Sequence, residues 1–295
     1  MLGTILNIVF SGVFNASTLF LLAAGLQLVF GVQKIFNLAC GSFYALGAYV
    51  GIVFVKISQG AGLPPILSVI PLVVAGLSLF FIGPIIERGL LKFVYDRDEA
   101  FQLLLTFAIV LMLEDVIKFI WGTSPQSTSG VYLTYGQIEL FGAVLPIYNL
   151  VVIIFSLGIA GFIGYILVHT KFGRTIRAAA DKKEMSEALG INMARVYVKV
   201  FTLGTVLGTI GGALVIPTTA AVSEMGVELI VLAFAVVVIG GLGSMKGAFV
   251  GALVVGVLKS IAISTYPELE MLTIYIIVIV VLVIKPQGLF GGGRV

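Results

Sequence analysis

Reactive side chains are scarce in this sequence. Its 295 residues include one cysteine (Cys40), one histidine (His169) and one tryptophan (Trp121). A lone cysteine allows no internal disulfide and leaves the redox compartment unspecified. One cysteine and one histidine are too few for a zinc site or a Ser-His-Asp relay. No Gly-Lys dipeptide occurs, so there is no phosphate-binding P-loop. The run "GGLGSMKG" (240–247) is glycine-rich but lacks the G-x-G-x-x-G spacing. These absences exclude a recognisable enzyme and a nucleotide site. Charge is also sparse, at 11% of residues where soluble domains average about 25%. The N-terminus lacks the basic region of a cleavable signal peptide, so the first apolar run reads as a retained helix. The sequon Asn15-Ala16-Ser17 lies inside that run and is not read as a glycosylation site.

What is present is apolar: 60% of residues are hydrophobic and the mean hydropathy is +1.19. Runs of about 20 apolar residues recur along the chain, which predicts an all-α polytopic membrane protein. Nine spans are expected, within a range of eight to ten, near 5–30, 36–56, 63–84, 100–120, 146–168, 200–217, 227–242, 247–264 and 270–285. The run at 227–242 is short and glycine-ended, as a broken or re-entrant segment would be. Seven of the seventeen Lys and Arg residues fall in one polar island, 169–200. With that island in the cytoplasm, Lys34, Arg88, Lys92, Arg97, Lys246, Lys285 and Arg294 also fall inside. The outer loop 121–145 then holds no Lys or Arg, and only Lys56, Lys118 and Lys259 lie toward the outer side. The N-terminus is therefore expected outside and the C-terminus in the cytoplasm.

Glycine rows at four-residue spacing (Gly204, Gly208 and Gly212; Gly243, Gly247 and Gly251; Gly47 and Gly51) suit close helix packing in lipid. A faint echo links "GAYVG" (47–51) and "GAFVG" (247–251), each preceded by Gly-Ser. Within the island, Asp181 and Glu184 read as the start of a two-turn helix ended by Gly190. Met185, Ala188 and Leu189 would share one face, which needs a surface to cover it. A lipid surface and a partner protein both satisfy that need. Glu114 and Lys118 are spaced to pair on the fourth span, and Lys259 lies in the outer half of the eighth. Charges at such depth face a bundle interior or an aqueous cavity, either as a structural ion pair or as an outer vestibule for a polar or zwitterionic solute. The acidic residues otherwise sit near the outer side or in loops, which counts against an ion-coupled secondary transporter. A scaffold without transport is not excluded by pattern.

Four segments resemble the permease subunit of bacterial and archaeal branched-chain amino-acid ABC importers, in its H-type form. "GLQLVFGVQKIFNLACGSFYALGAYVG" (25–51) is similar to the first signature of that family, through Asn37, Ala39, Gly41, Gly47, Ala48 and Tyr49. "KFGRTIRAAADKKEMSEALGIN" (171–192) resembles its cytoplasmic signature, through Phe172, Gly173, Arg174, Arg177, Ala178, Asp181, Gly190, Ile191 and Asn192. "LAFAVVVIGGLGSMKGAFVGALVVGVL" (232–258) and "KPQGLFG" (285–291) resemble the glycine-rich and C-terminal ones. Cys40 stands where the family usually has His, and "YDRDEAFQLLLTF" (95–107) is more acidic than its usual basic loop.

The resemblance implies one permease domain over 1–295, set in a prokaryotic inner membrane and moving branched-chain or other hydrophobic amino acids inward. Urea and short-chain amide importers use closely similar permeases and form the alternative. It implies an M-type paralogous permease, two cytoplasmic ATPases and an extracytoplasmic solute-binding protein, with no cofactor and no catalytic site. The island 169–199 would then couple to the ATPases through Arg174, Arg177, Asp181, Glu184, Met185, Ala188, Leu189 and Gly190. Candidate pathway residues are Asn37, Cys40, Gly41, Ser42, Glu114, Lys118, Gly241, Gly243, Ser244 and Lys259.

Overall fold

The computed structural model describes residues 2–285 and 287–290, so Arg294 and the end of the C-terminal motif lie outside the described residues. The helices are α1 (Leu2–Gln33), α2 (Ala39–Gly60), α3 (Val69–Ser78), α4 (Ile82–Gly89), α5 (Glu99–Trp121) and α6 (Ser129–Thr134). A hairpin of β1 (Gln137–Leu140) and β2 (Ala143–Pro146) follows. Then come α7 (Ile147–His169), α8 (Lys171–Asp181), α9 (Lys183–Ala188), α10 (Met193–Val215), α11 (Met225–Gly240), α12 (Met245–Thr265) and α13 (Glu270–Ile284). The chain is thus mainly helical, but the all-α expectation misses the antiparallel hairpin, in which Gln137 pairs with Pro146 and Leu140 with Ala143. "ELFGAV" makes the turn because Gly142, with Phe141, adopts positive φ (78° and 51°).

Helix occupies each of the nine stretches expected as spans, and six helical stretches are long and apolar enough to cross a membrane. They are Leu2–Gln33, Ala39–Gly60, Val69–Phe93, Ile147–His169, Met193–Val215 and Met245–Thr265. The third is broken into α3 and α4 by a single tight turn at Leu79–Phe81. α5 is also 23 residues long, but its apolar run is interrupted by Glu114, Asp115 and Lys118. α11, with 16 residues, is among the shorter apolar helices and ends in glycine.

α1, α2 and α10 form the core, where Leu21, Leu22, Phe43, Tyr44, Tyr49 and Phe201 are all but sealed from solvent. Backbones approach closely here because side chains are missing. Gly25 on α1 and Gly204 on α10 lie against each other's carbonyls. Gly47 abuts Thr209 of α10, and Gly212 abuts the Tyr44 carbonyl of α2. Gly247 and Gly251 instead face Gly240 and Val236 of α11. The two echoed motifs therefore pack against different helices. Gly243 does not belong to its row. A Cβ there would meet open space, and the residue is needed for its positive φ of 84° in the turn between α11 and α12.

These pairings give the helix directions. Gln33 meets Tyr197, and Gly25 meets Gly204, so α1 and α10 are antiparallel. Cys40 lies beside Gly208 and Gly51 beside Ala213, so α2 runs parallel to α10. Gly12 lies against Val257, and Ser260 donates to the Ile8 carbonyl (2.8 Å), so α12 is antiparallel to α1. The polar island, the Gln33 end of α1 and the α11–α12 turn consequently share one face of the molecule. The opposite face carries the hairpin and the strand-like contact of Gln126 with Ala221.

Candidate functional site

The polar island folds as two short helices instead of one. Thr170 caps α8 by accepting from the Gly173 amide (3.1 Å). Asp181 is the last residue of α8, and Lys182 precedes α9, so Asp181 is not the expected N-cap. α9 has six residues, and its first turn is tied by Ser186 Oγ donating to the Lys182 carbonyl (2.9 Å). Gly190 ends it at φ +83°, as expected. Asn192 then starts α10 by accepting from the Arg195 amide (3.1 Å). Arg174, Asp181, Glu184 and Ala188 are exposed, and Arg177 donates to the Leu167 carbonyl. Met185 and Leu189 are 57% and 77% exposed, so this chain provides no cover for their apolar face.

Beside α9 a polar groove of about 470 Å³ opens between Arg88, Lys92 and Asp96 on one side and Lys183, Glu187 and Arg195 on the other. Tyr95 closes its floor, donating to Glu87 Oε1 (2.8 Å), and burial raises the Tyr95 hydroxyl pKa well above the usual phenol range. The basic residues assigned to one face by charge alone, Arg88, Lys92, Lys183 and Arg195, do lie together.

The second feature is a pair of interrupted helices. From Tyr197 to Gly208 is eleven positions, roughly 16 Å of helix at about 1.5 Å per residue. Gln33 of α1 is level with Tyr197, donating to its carbonyl (3.1 Å), while Cys40 of α2 is level with Gly208. The link 34–38 therefore climbs back into the bundle before α2 begins. Lys34 turns the chain at φ +58°. Asn37 then holds the first turn of α2. Its Oδ1 accepts from the Ala39 amide (3.1 Å), and its Nδ2 donates to Cys40 Sγ (3.3 Å). Asn37, Cys40, Gly41 and Ser42 are thus brought together, and all are buried. Gly41 packs on Gly226, in the first turn of α11.

α11 is interrupted in the opposite sense. Residues 216–224 descend from the other face without regular helix, held by Tyr49 donating to the Ala221 carbonyl (3.3 Å). α11 then starts at the depth of Gly41 and continues to the island face. There Gln27 of α1 donates to the Gly241 carbonyl (2.8 Å), and Ser244 caps α12 by accepting from the Gly247 amide (3.1 Å). Gly241, Gly243 and Ser244 thus form a turn at the island face, separate from the Asn37–Ser42 cluster.

Between α1, α2, α11 and α12, on the side of the 216–224 segment, lies a cavity of about 220 Å³. Its polar lining comes from Asn15, Thr18, Tyr44, Thr219, Glu228 and Lys259, and Leu19 and Leu229 supply apolar wall. Glu228 is a residue the sequence analysis overlooked. The signal was present, since it is the one carboxylate inside the run 227–242. Glu114 and Lys118 do pair, at 2.6 Å, and Glu224 lies 3.6 Å from the same ammonium. Lys118 and Glu114 are on α5 and Glu224 directly precedes α11, while Lys259 of α12 lines the cavity and Lys118 is not among its lining residues.

The match to known proteins agrees with this architecture. The family described as "Branched-chain amino acid transport system / permease component" matches residues 8–282. The chain belongs to this family. It is 28% identical to the high-affinity branched-chain amino acid transport system permease protein LivH of Salmonella typhimurium, over 96% of this chain and 94% of that protein. A probable LivH from Methanocaldococcus jannaschii is 28% identical over 83% of this chain and 77% of its own length. The fructose import permease protein FrcC of Rhizobium meliloti is 25% identical over 96% of this chain and 80% of its own length. The chain is accordingly a polytopic membrane permease.

Proposed function

We propose that this permease is the membrane-spanning subunit of an ATP-driven importer that moves branched-chain or other hydrophobic amino acids into the cytoplasm. Residues 1–295 would form one permease domain of about nine crossings in a prokaryotic inner membrane, with the N-terminus outside. Its partners would be an M-type paralogous permease, two cytoplasmic ATPases and an extracytoplasmic solute-binding protein. The observation that carries this reading is the bare apolar face of α9, Met185 and Leu189, on the basic face of a family member without a nucleotide motif. A cytoplasmic ATPase seated there would cover that face, with Arg174, Arg177 and Glu184 around it. Import as the direction is supported by the name of FrcC. The test is leucine uptake into proteoliposomes that hold the permease with its ATPases and binding protein. Uptake that requires ATP supports the proposal, and uptake indifferent to ATP overturns it.

Glu228 favours a second reading, because a carboxylate inside a membrane helix is the group that ion-coupled transporters use. That reading requires leucine uptake by the permease alone, driven by a proton or sodium gradient.

A further inference from the structure

The packing of α11 against α12 makes its depth of register readable. Gly240 and Gly247 lie against each other's carbonyls, and Gly251 lies against the Val236 carbonyl. One turn back on α11 is answered by one turn forward on α12. Two more such steps give 232 with 255, then 228 with 259. Leu232 and Val255 are both buried, as residues inside such a seam should be. Glu228 and Lys259 are therefore level with each other on neighbouring helices, and both line the 220 Å³ cavity. Lys259 is fourteen positions along α12, roughly 21 Å from its start at about 1.5 Å per residue, inside a hydrocarbon layer of about 30 Å.

Two opposite charges at that depth need a reason. Glu228 is exposed on this chain and Lys259 is half-buried, and charged residues at membrane depth commonly line a water-filled solute path. Among the described residues the Glu228 side chain makes no hydrogen bond or ion pair, whereas Lys259 is already engaged with a partner that a solute carboxylate would have to displace or share. The cavity is smaller than the roughly 300–1,000 Å³ of pockets for drug-sized ligands, so it suits one small molecule. Its opposite charges at one level match the two ends of an α-amino acid, and Leu19 and Leu229 offer surface to an apolar side chain.

We propose that Glu228 and Lys259 form a zwitterion-reading site in the translocation path, Glu228 receiving the α-ammonium and Lys259 the α-carboxylate of the passing amino acid. The site rests on the amino-acid permease reading and adds to it a point inside the membrane where the backbone of the solute is recognised.

The test uses the assembled transporter in proteoliposomes, with leucine as the probe. Glu228→Gln and Lys259→Gln should each lower uptake at least tenfold at unchanged membrane abundance, and Lys259→Arg should keep most of it. The double variant Glu228→Gln/Lys259→Gln separates solute reading from a structural ion pair. A structural pair tolerates joint neutralisation, so recovered uptake in the double variant overturns the site, and uptake that stays low supports it. Unchanged uptake in both single variants also overturns it. If the neutral variants fail to insert, Thr219→Cys in a Cys40→Ala background reports on the same cavity. Leucine should slow its reaction with a thiol reagent at least threefold, and equal rates with and without leucine reject the site. Absence of leucine uptake by the unmodified transporter would instead reject the amino-acid reading on which the site depends.

Discussion

Replacing Met185 and Leu189 together by aspartate should detach the ATPases while leaving the permease folded. Both side chains already face water, at 57% and 77% exposure, so their removal takes little from the fold. Surface substitutions of this kind usually change stability by no more than about 0.5 kcal/mol. Docking is different. Full burial of such a side chain contributes about 1.5–3 kcal/mol, and scaling by the area still open gives about 2–4 kcal/mol for the pair. At about 1.4 kcal/mol per tenfold, that weakens ATPase binding by roughly 30- to 700-fold. Two added carboxylates placed in an apolar contact push the figure toward the upper end. The assay is the dissociation constant of the ATPase for permease held in lipid nanodiscs, measured beside the thermal transition of the permease alone. A dissociation constant within threefold of the unmodified value would refute the reasoning, since it would mean that α9 is not the contact.

Topology, packing and the α5 charges each give a separate expectation. In a Cys40→Ala background, cysteine at Ser129 should react with an impermeant thiol reagent in intact cells, and cysteine at Glu184 should react only after permeabilisation; both positions are exposed, whereas neighbouring Ser186 is buried and would report poorly. The reverse pattern would invert the orientation. Gly212→Ala puts a methyl group against the Tyr44 carbonyl, where backbone must shift, and should cost about 1–3 kcal/mol as overpacking does, read as a lowered thermal transition in detergent; an unchanged transition would contradict the tight α2–α10 seam. Lys118→Gln should leave leucine uptake within twofold, because its ammonium serves Glu114 and Glu224 and not the cavity; a tenfold loss would return Lys118 to the pathway.

Much of this architecture is legible in the sequence because lipid imposes a strong pattern. Apolar runs gave the nine helical stretches, and the distribution of Lys and Arg grouped Arg88, Lys92, Lys183 and Arg195, which do share one groove. Gly190 was recognisable because a helix-ending residue of positive φ favours glycine. The interruptions were harder. Phe36 and Leu38 are as apolar as the helix they precede, so hydropathy runs through them, although Asn37 marks the start of α2 by accepting from the Ala39 amide. Asp181 misled for a related reason. It belongs to the end of α8, a helix of mixed polarity that a hydrophobic-run search passes over. The cavity was least legible, because its parts come from helices far apart in sequence. Lys259 was visible as a charge inside the eighth apolar run, but only the Gly240–Gly247 packing brings Glu228 level with it.

The proposed activity is movement of amino acids at the expense of ATP hydrolysed by other subunits. Its most direct test is radiolabelled leucine uptake into proteoliposomes holding the permease with its ATPases and binding protein, with and without ATP on the ATPase side. Uptake should appear only with ATP and be lost when the Met185→Asp/Leu189→Asp permease is used. Uptake of equal rate without ATP, or driven by an ion gradient across the permease alone, would contradict it.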